Sequence, residues 1–224
     1  MTPRKARISL NLLGRHPEPG QCKTRLIPAL GIEGATEAHA ALLTHTTCTM
    51  RRWCDVCATE RRFRLWTTTK SRTPFLSSLV EPDQLRLQPE GDLGARLAWI
   101  AQAGLAEAEV VLLVGGDAVS LDEKSLDHTE TLLSSHDAIL VPAEDGGYVL
   151  MGLRRLDPAL FAAMPWGGER LAEATRAVFR QLGWSWAEIP GHWDVDFPEE
   201  WERFRSLAKN WSDNCSYAIV SGGG

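Results

Sequence analysis

The residues best placed by type and spacing to do chemistry stand in a few short loops. The first runs Arg15-His-Pro-Glu-Pro-Gly20-Gln-Cys-Lys23-Thr-Arg25. Gly20 lets the backbone approach a ligand closely, and Lys23 and Arg25 bring two cations to the same edge. A guanidinium forks onto phosphate oxygens while an ammonium acts as a point charge, so the set, with Arg15, suits a di- or triphosphate. Gly-Lys-Ser/Thr is missing, so this is not a Walker A loop. On these residues alone, a solvated loop with two surface cations reads equally well.

A second loop, Gly91-Asp92-Leu93-Gly94, offers backbone contact to a base or ribose, with Asp92 also suited to cap the helix that follows. In the third, Val114-Gly115-Gly116-Asp117, a carboxylate freed by two glycines ends the most apolar strand. Such an acid is where a Mg²⁺ bridging phosphates would be held; capping of the next helix is the alternative. The fourth, Glu144-Asp145-Gly146-Gly147-Tyr148, combines acids, glycines and an aromatic and suits acceptor recognition, although Asp-Gly is also a hairpin signal. Asp194 and Asp196 add two acids before a helix opened by Pro198, and one of them could serve only as its cap.

Other candidates carry less. The six histidines show no metal spacing, and no Ser or Cys sits in a nucleophile elbow. Cys54 and Cys57 form a C-x-x-C at the end of a helical stretch with no second ligand pair, which reads as two semi-buried thiols rather than a redox or zinc site. Nine tryptophans are scattered through the chain, and Trp166, in Pro-Trp-Gly-Gly, is the one expected near the site.

Elements able to position these loops alternate along the chain. Strands are expected at Ile8–Leu13, Phe63–Thr68, Leu85–Gln88, Val110–Val114, Ala138–Val141, Tyr148–Leu153 and Trp184–Ile189. Helices are expected at Ala35–Trp53, Asp92–Leu105, Leu121–Leu133, Glu169–Leu182 and Glu199–Ala208. This alternation points to an α/β fold, a largely parallel sheet with helices on both faces, and in such sheets ligands sit beyond the carboxyl ends of the strands. Residues 1–209 read as one domain, and 210–224 as a tail expected to be mobile. A sheet that brings Asp117 and Asp196 to one edge would set two like charges against each other.

The chain has 224 residues, a hydrophobic fraction of 44% and a net charge of -5. That charge argues against a nucleic-acid partner, which needs clustered Lys and Arg. The arginines at 51, 52, 61, 62 and 64 read as a solvated face. No apolar stretch approaches the roughly 20 residues of a membrane span, no signal peptide is evident, and a cytoplasmic protein with no membrane partner is expected. Oligomeric state is not legible.

Taken in order, Pro17–Gly31, Gly91–Gly94, Gly115–Asp117, Glu144–Tyr148, Pro165–Trp166 and Asp194–Asp196 resemble the bacterial glycosyltransferase-A-like family known as radical-SAM/selenodomain-associated transferases. That family is similar to 2-phospholactate and molybdenum-cofactor guanylyltransferases. The resemblance implies a three-layer nucleotide-diphosphosugar-transferase fold. It implies binding of a nucleoside triphosphate or nucleotide sugar, with Mg²⁺ or Mn²⁺, and a small-molecule acceptor. It matches Lys23 and Arg25 to a phosphate-contacting pair, Asp117 to the first metal acid and Asp196 to a second. The chain departs from the family pattern at Gly116, Ala118, Val119, Gly167, Gly168 and Phe197, losing hydroxyls at all of these but Val119, which stands where the pattern has Pro. Nucleotidyl transfer is expected, with glycosyl transfer and a catalytically inactive nucleotide-binding protein as alternatives.

Overall fold

The computed structural model describes residues 6–208, so the tail expected from 210 lies outside the described residues. The chain runs β1 (Ala6–Leu13), α1 (Ile27–Val56), β2 (Arg61–Thr67), α2 (Pro74–Leu79), β3 (Leu85–Leu87), α3 (Leu93–Glu107) and β4 (Ala108–Gly115). It continues through α4 (Glu123–Leu133), β5 (Ala138–Pro142), β6 (Tyr148–Leu153), α5 (Leu171–Leu182), β7 (Trp186–Glu188) and α6 (Pro198–Ala208). Short 3-10 turns stand at Thr24–Leu26 and Pro158–Leu160.

The seven strands form one sheet in the order β3-β2-β1-β4-β6-β5-β7. Only β6 runs antiparallel, to both β4 and β5; the other pairings are parallel. β4 shows why the apolar run Val110–Val114 becomes a central strand. Val110, Leu112 and Val114 pack on one side with Leu43, Met50 and Trp53 of α1 and Leu126 of α4. Val111 and Leu113 pack on the other with Leu97 and Ile100 of α3 and Phe179 of α5. With both faces covered, every position from Val110 to Val114 is apolar, the continuous run expected of a strand buried on both sides; the exposed Glu109 stands before it, near the strand's start. The result is a three-layer α/β domain.

Several boundaries differ from expectation for identifiable reasons. α1 begins at Ile27 rather than Ala35 because its first turn continues across Gly31, which bends the path at φ 72° and ψ 174°. Leu26, Ala35, Leu42 and the α6 residues Trp201 and Phe204 form one apolar cluster that anchors this end. α2, where no element is expected, is six residues long and shows no periodicity, yet Thr73 accepts a hydrogen bond from the Leu76 amide and Pro74 opens it, a start signal worth about 1 kcal/mol. α4 starts two residues late because the Asp122 carboxylate caps the Ser125 amide at 2.8 Å. The paired strand around Trp184–Ile189 shrinks to Trp186–Glu188.

The arginines read as a solvated face are in fact paired. Arg61 lies over the Trp53 ring and bridges Glu130 at 2.5 Å, Arg62 and Arg64 share Glu107, and Arg52 meets Glu123. Arg51 donates to the Leu79 carbonyl. Cys54 and Cys57 are free thiols, and burial pushes Cys54 up to about 12. Among the described residues no helix is long and apolar enough to cross a membrane.

Candidate functional site

The carboxyl ends of β1 and β4 lie side by side, and so the loops that follow them meet. The cleft between them has a volume of about 280 Å³, and Arg15, Lys23, Arg25, His39, Asp117 and Asp196 are among its lining residues. Ligand pockets for drug-sized molecules start near 300 Å³, so a phosphate chain fits here and a nucleoside would extend past its rim. Lys23 holds a left-handed backbone conformation at φ 43°, uncommon for a side chain other than glycine and a form of strain that gathers at ligand sites.

The Lys23 ammonium stands between two acids, 2.5 Å from Asp117 Oδ2 and 2.9 Å from Asp196 Oδ1. Its side chain is only 7% exposed. Arg25, half exposed, reaches the other Asp196 oxygen at 2.7 Å and lies over the Phe197 ring. Burial alone would lower the Lys23 pKa; attraction to Asp117 and Asp196 outweighs it and holds the ammonium above its ordinary value. Burial alone would raise Asp117, and Lys23 beside it holds that carboxyl below the usual range. The repulsion expected between Asp117 and Asp196 is therefore replaced by a shared cation. It falls instead on Asp194, which burial, then the charges of Asp117, Asp145 and Asp196, push up to about 7.

Asp196 is not the cap of α6. Glu200 takes that work by reaching back to the amides of Asp196 and Phe197 at 2.7 and 2.6 Å, one half of a capping box. This leaves both Asp196 oxygens to the cations.

The other expected residues divide between this cleft and its surroundings. Gly20, at φ 75°, faces open space in the loop that leads to Lys23. Asp92 caps α3 through the Ala95 amide at 2.8 Å. A Cβ at Gly94 would collide with the Phe161 carbonyl and touch the Trp166 indole nitrogen, so the Gly91–Gly94 loop and Trp166 meet each other, outside the cationic cleft. Gly146 is required by packing: its φ is 86° and a Cβ there would run into the Glu169 carbonyl. Gly147 donates to Asp145 Oδ1 at 2.8 Å, closing the turn between β5 and β6. The Tyr148 hydroxyl is buried without a hydrogen-bond partner, and that burial raises its pKa; Tyr148 and Trp166 pack against one apolar cluster. The missing side chain at Gly116 has a cause too, since a Cβ would press on the Leu13 carbonyl, Gly14 and Leu43.

Asp117 and Asp196 offer hard oxygen donors and converge on one cation, the Lys23 ammonium. Mg²⁺ takes one or two carboxylates and completes its shell with water and substrate phosphates, so this pair fits Mg²⁺ or Mn²⁺ delivered with a phosphate chain. Among the described residues no group of three or more His, Cys, Asp and Glu is gathered to hold a metal unaided. Gln21, Cys22 and Thr24 of the first loop also line the cleft without having been singled out, and His39, in the middle of α1, is the lining residue from outside the candidate loops; only its place on the helix face that also carries Leu43 could have marked it.

Comparison with known proteins agrees with this architecture. A family model described as "Uncharacterized protein conserved in bacteria (DUF2064)" matches residues 57–168. No curated protein matches the chain. A candidate nucleotide-diphospho-sugar transferase from Desulfovibrio desulfuricans G20 superposes with a TM-score of 0.76 at 22% identity, over 86% of this chain and 83% of its own. A 4-diphosphocytidyl-2C-methyl-D-erythritol synthase from Anaerococcus prevotii DSM 20548 is similar at a TM-score of 0.57 and 11% identity, over 91% and 99% of the chains. The CMP:2-keto-3-deoxy-manno-octonic acid synthetase, solved with CTP, is similar at 0.53 and 14%, over 92% and 100%. These similarities establish the nucleotide-diphospho-sugar-transferase fold.

Proposed function

The chain belongs to the DUF2064 family, and from that premise we propose that it is a nucleotidyltransferase using a nucleoside triphosphate, Mg²⁺ or Mn²⁺ and a small phosphate or hydroxyl acceptor. The radical-SAM-associated subtype and a cytoplasmic location are part of the same proposal. The observation that carries it is the convergence of Lys23, Arg25, Asp117 and Asp196 in one cleft. Proteins similar in fold, one solved in complex with CTP and one a diphosphocytidyl-product synthase by name, support the choice of substrate class.

In this reading Arg15, Lys23 and Arg25 bind the phosphate chain and neutralise charge that develops on it, the electrostatic contribution that dominates phosphoryl-type transfers. The acceptor oxygen attacks the α-phosphorus in line and pyrophosphate leaves. Asp117 and Asp196 would hold the divalent cation, which when bound supplies further charge neutralisation at the phosphates. The Gly91–Gly94 loop would receive the base and ribose. Asp145, Gly146, Gly147, Tyr148 and Trp166 would form the acceptor side. The similarity to a candidate nucleotide-diphospho-sugar transferase favours glycosyl transfer as a second reading.

The test is product analysis after incubation with each common triphosphate and nucleotide sugar plus Mg²⁺. Pyrophosphate release supports nucleotidyl transfer; release of a nucleoside diphosphate from a nucleotide sugar supports the second reading. Binding of nucleotide with no turnover on a broad acceptor panel would point to an inactive nucleotide-binding protein.

A further inference from the structure

α1 supports the first loop from beneath through residues one turn apart. His39 is buried, with 8% of its surface exposed, and its Nε2 lies 2.9 Å from the Arg15 carbonyl oxygen. A carbonyl only accepts, so Nε2 carries the hydrogen and donates it. Nδ1 is buried without a partner, the bare nitrogen of a neutral ring. One turn further, Leu43 packs against Gly14 and Gly116, where added Cβ atoms would meet its methyl groups. The same helix face thus touches the loop after β1 and the loop after β4.

The loop itself is tied mostly to itself. Arg15 Nη1 donates to the Gln21 carbonyl at 3.1 Å, the Gln21 amide to the Glu18 carbonyl at 3.0 Å, and Cys22 Sγ to that carbonyl at 3.4 Å. Among the described residues, the His39–Arg15 bond is the one hydrogen bond that joins residues 15–22 to another element. Upstream, the Gly14 amide is fixed to the Trp66 carbonyl; downstream, Lys23 is fixed by its two acids.

Resting on the triphosphate reading above, we propose that His39 is a positioning residue for polyphosphate binding. Its Nε2–H suspends the Arg15–Cys22 loop from α1, so that Arg15 is held at the spacing from Lys23 and Asp117 at which one phosphate chain meets all of them. A pre-set loop loses less freedom when the ligand binds, and affinity rises accordingly. The ring's volume is not what matters in this account; the donor is. A side chain with a donor at similar reach should serve, and one of equal bulk without a donor should not.

Calorimetric titration with magnesium tripolyphosphate, a probe without base or sugar, tests this in the full chain. His39→Phe is expected to bind about tenfold more weakly than the parent, the loss of one hydrogen bond's worth of preorganisation. His39→Gln, whose amide can donate to the Arg15 carbonyl, should stay within about twofold of the parent. Amide hydrogen exchange should quicken at residues 15–22 in the Phe variant and stay unchanged in β4, a pattern that general destabilisation would not give. If the Phe variant does not fold, His39→Met takes its place with the same expectation. Equal affinity of parent and Phe or Met variant overturns the proposal, as does a Gln variant as weak as they are. A parent protein that binds no tripolyphosphate overturns the triphosphate reading and this inference together, a result distinct from a tight-binding parent whose variants are equally tight.

Discussion

Asp194→Asn should make the metal-free protein more stable, and increasingly so as pH rises. The Asp194 carboxyl is raised from 3.8 to about 7, by burial first and then by Asp117, Asp145 and Asp196, with Lys23 opposing. A raised folded pKa means that the native state keeps a proton which the unfolded chain gives up. The stability linked to that proton is fully present below about pH 4 and is lost as pH climbs through about 7. A difference of about three units corresponds to about 4 kcal/mol, and partial exposure of the side chain reduces this to about 3 kcal/mol. Asparagine keeps the shape and removes the titration. Urea denaturation of chelator-treated protein at pH 4.5, 6 and 8 should therefore show parent and variant close together at pH 4.5, with the variant about 3 kcal/mol ahead at pH 8. A difference that does not change with pH, or a variant that loses stability at pH 8, would refute the carboxylate cluster as described.

Lys23→Met should cost about 3–5 kcal/mol at pH 7, since it leaves the Asp117 carboxylate without its partner; the parent's depressed Asp117 pKa is a source of stability above about pH 4, so the deficit should shrink as pH falls through the acid range in thermal melts. Arg25→Ala should weaken triphosphate binding by about 1.5–3 kcal/mol in calorimetry while changing stability by less than 1 kcal/mol, because its pairing with Asp196 is half exposed. Gly146→Ala should destabilise by about 2–4 kcal/mol, as both a positive φ and the Glu169 carbonyl oppose it. Gly20→Ala, with open space around it, should cost about 1 kcal/mol, and denaturant midpoints for the two decide between packing and loop conformation.

How much of this was legible in the sequence depended on range. The Val110–Val114 strand could be read because burial on both faces leaves an unbroken apolar run. The loops ending in Lys23 and Asp117 could be placed at one sheet edge because parallel strands put them there. The Asp117 and Asp196 carboxylates do converge, as expected. What stayed hidden is that Lys23 stands between them, a relation across 94 and 173 residues that no local pattern carries. The capping role expected of Asp194 or Asp196 goes to Glu200, because only its side chain reaches back to the Phe197 amide. α2 was missed because six residues show no period, although Thr73-Pro74 announced it. His39 looked like one more helical histidine, since its significance lies in a carbonyl 24 residues upstream.

The central claim, that this cleft binds a nucleoside triphosphate together with a divalent metal, is tested most directly by calorimetric titration of the four common triphosphates with Mg²⁺ and again with chelator. The account predicts binding of at least one triphosphate with Mg²⁺ that weakens about tenfold or more when the metal is removed. Equal affinity with and without metal, or no binding of any triphosphate, would contradict it.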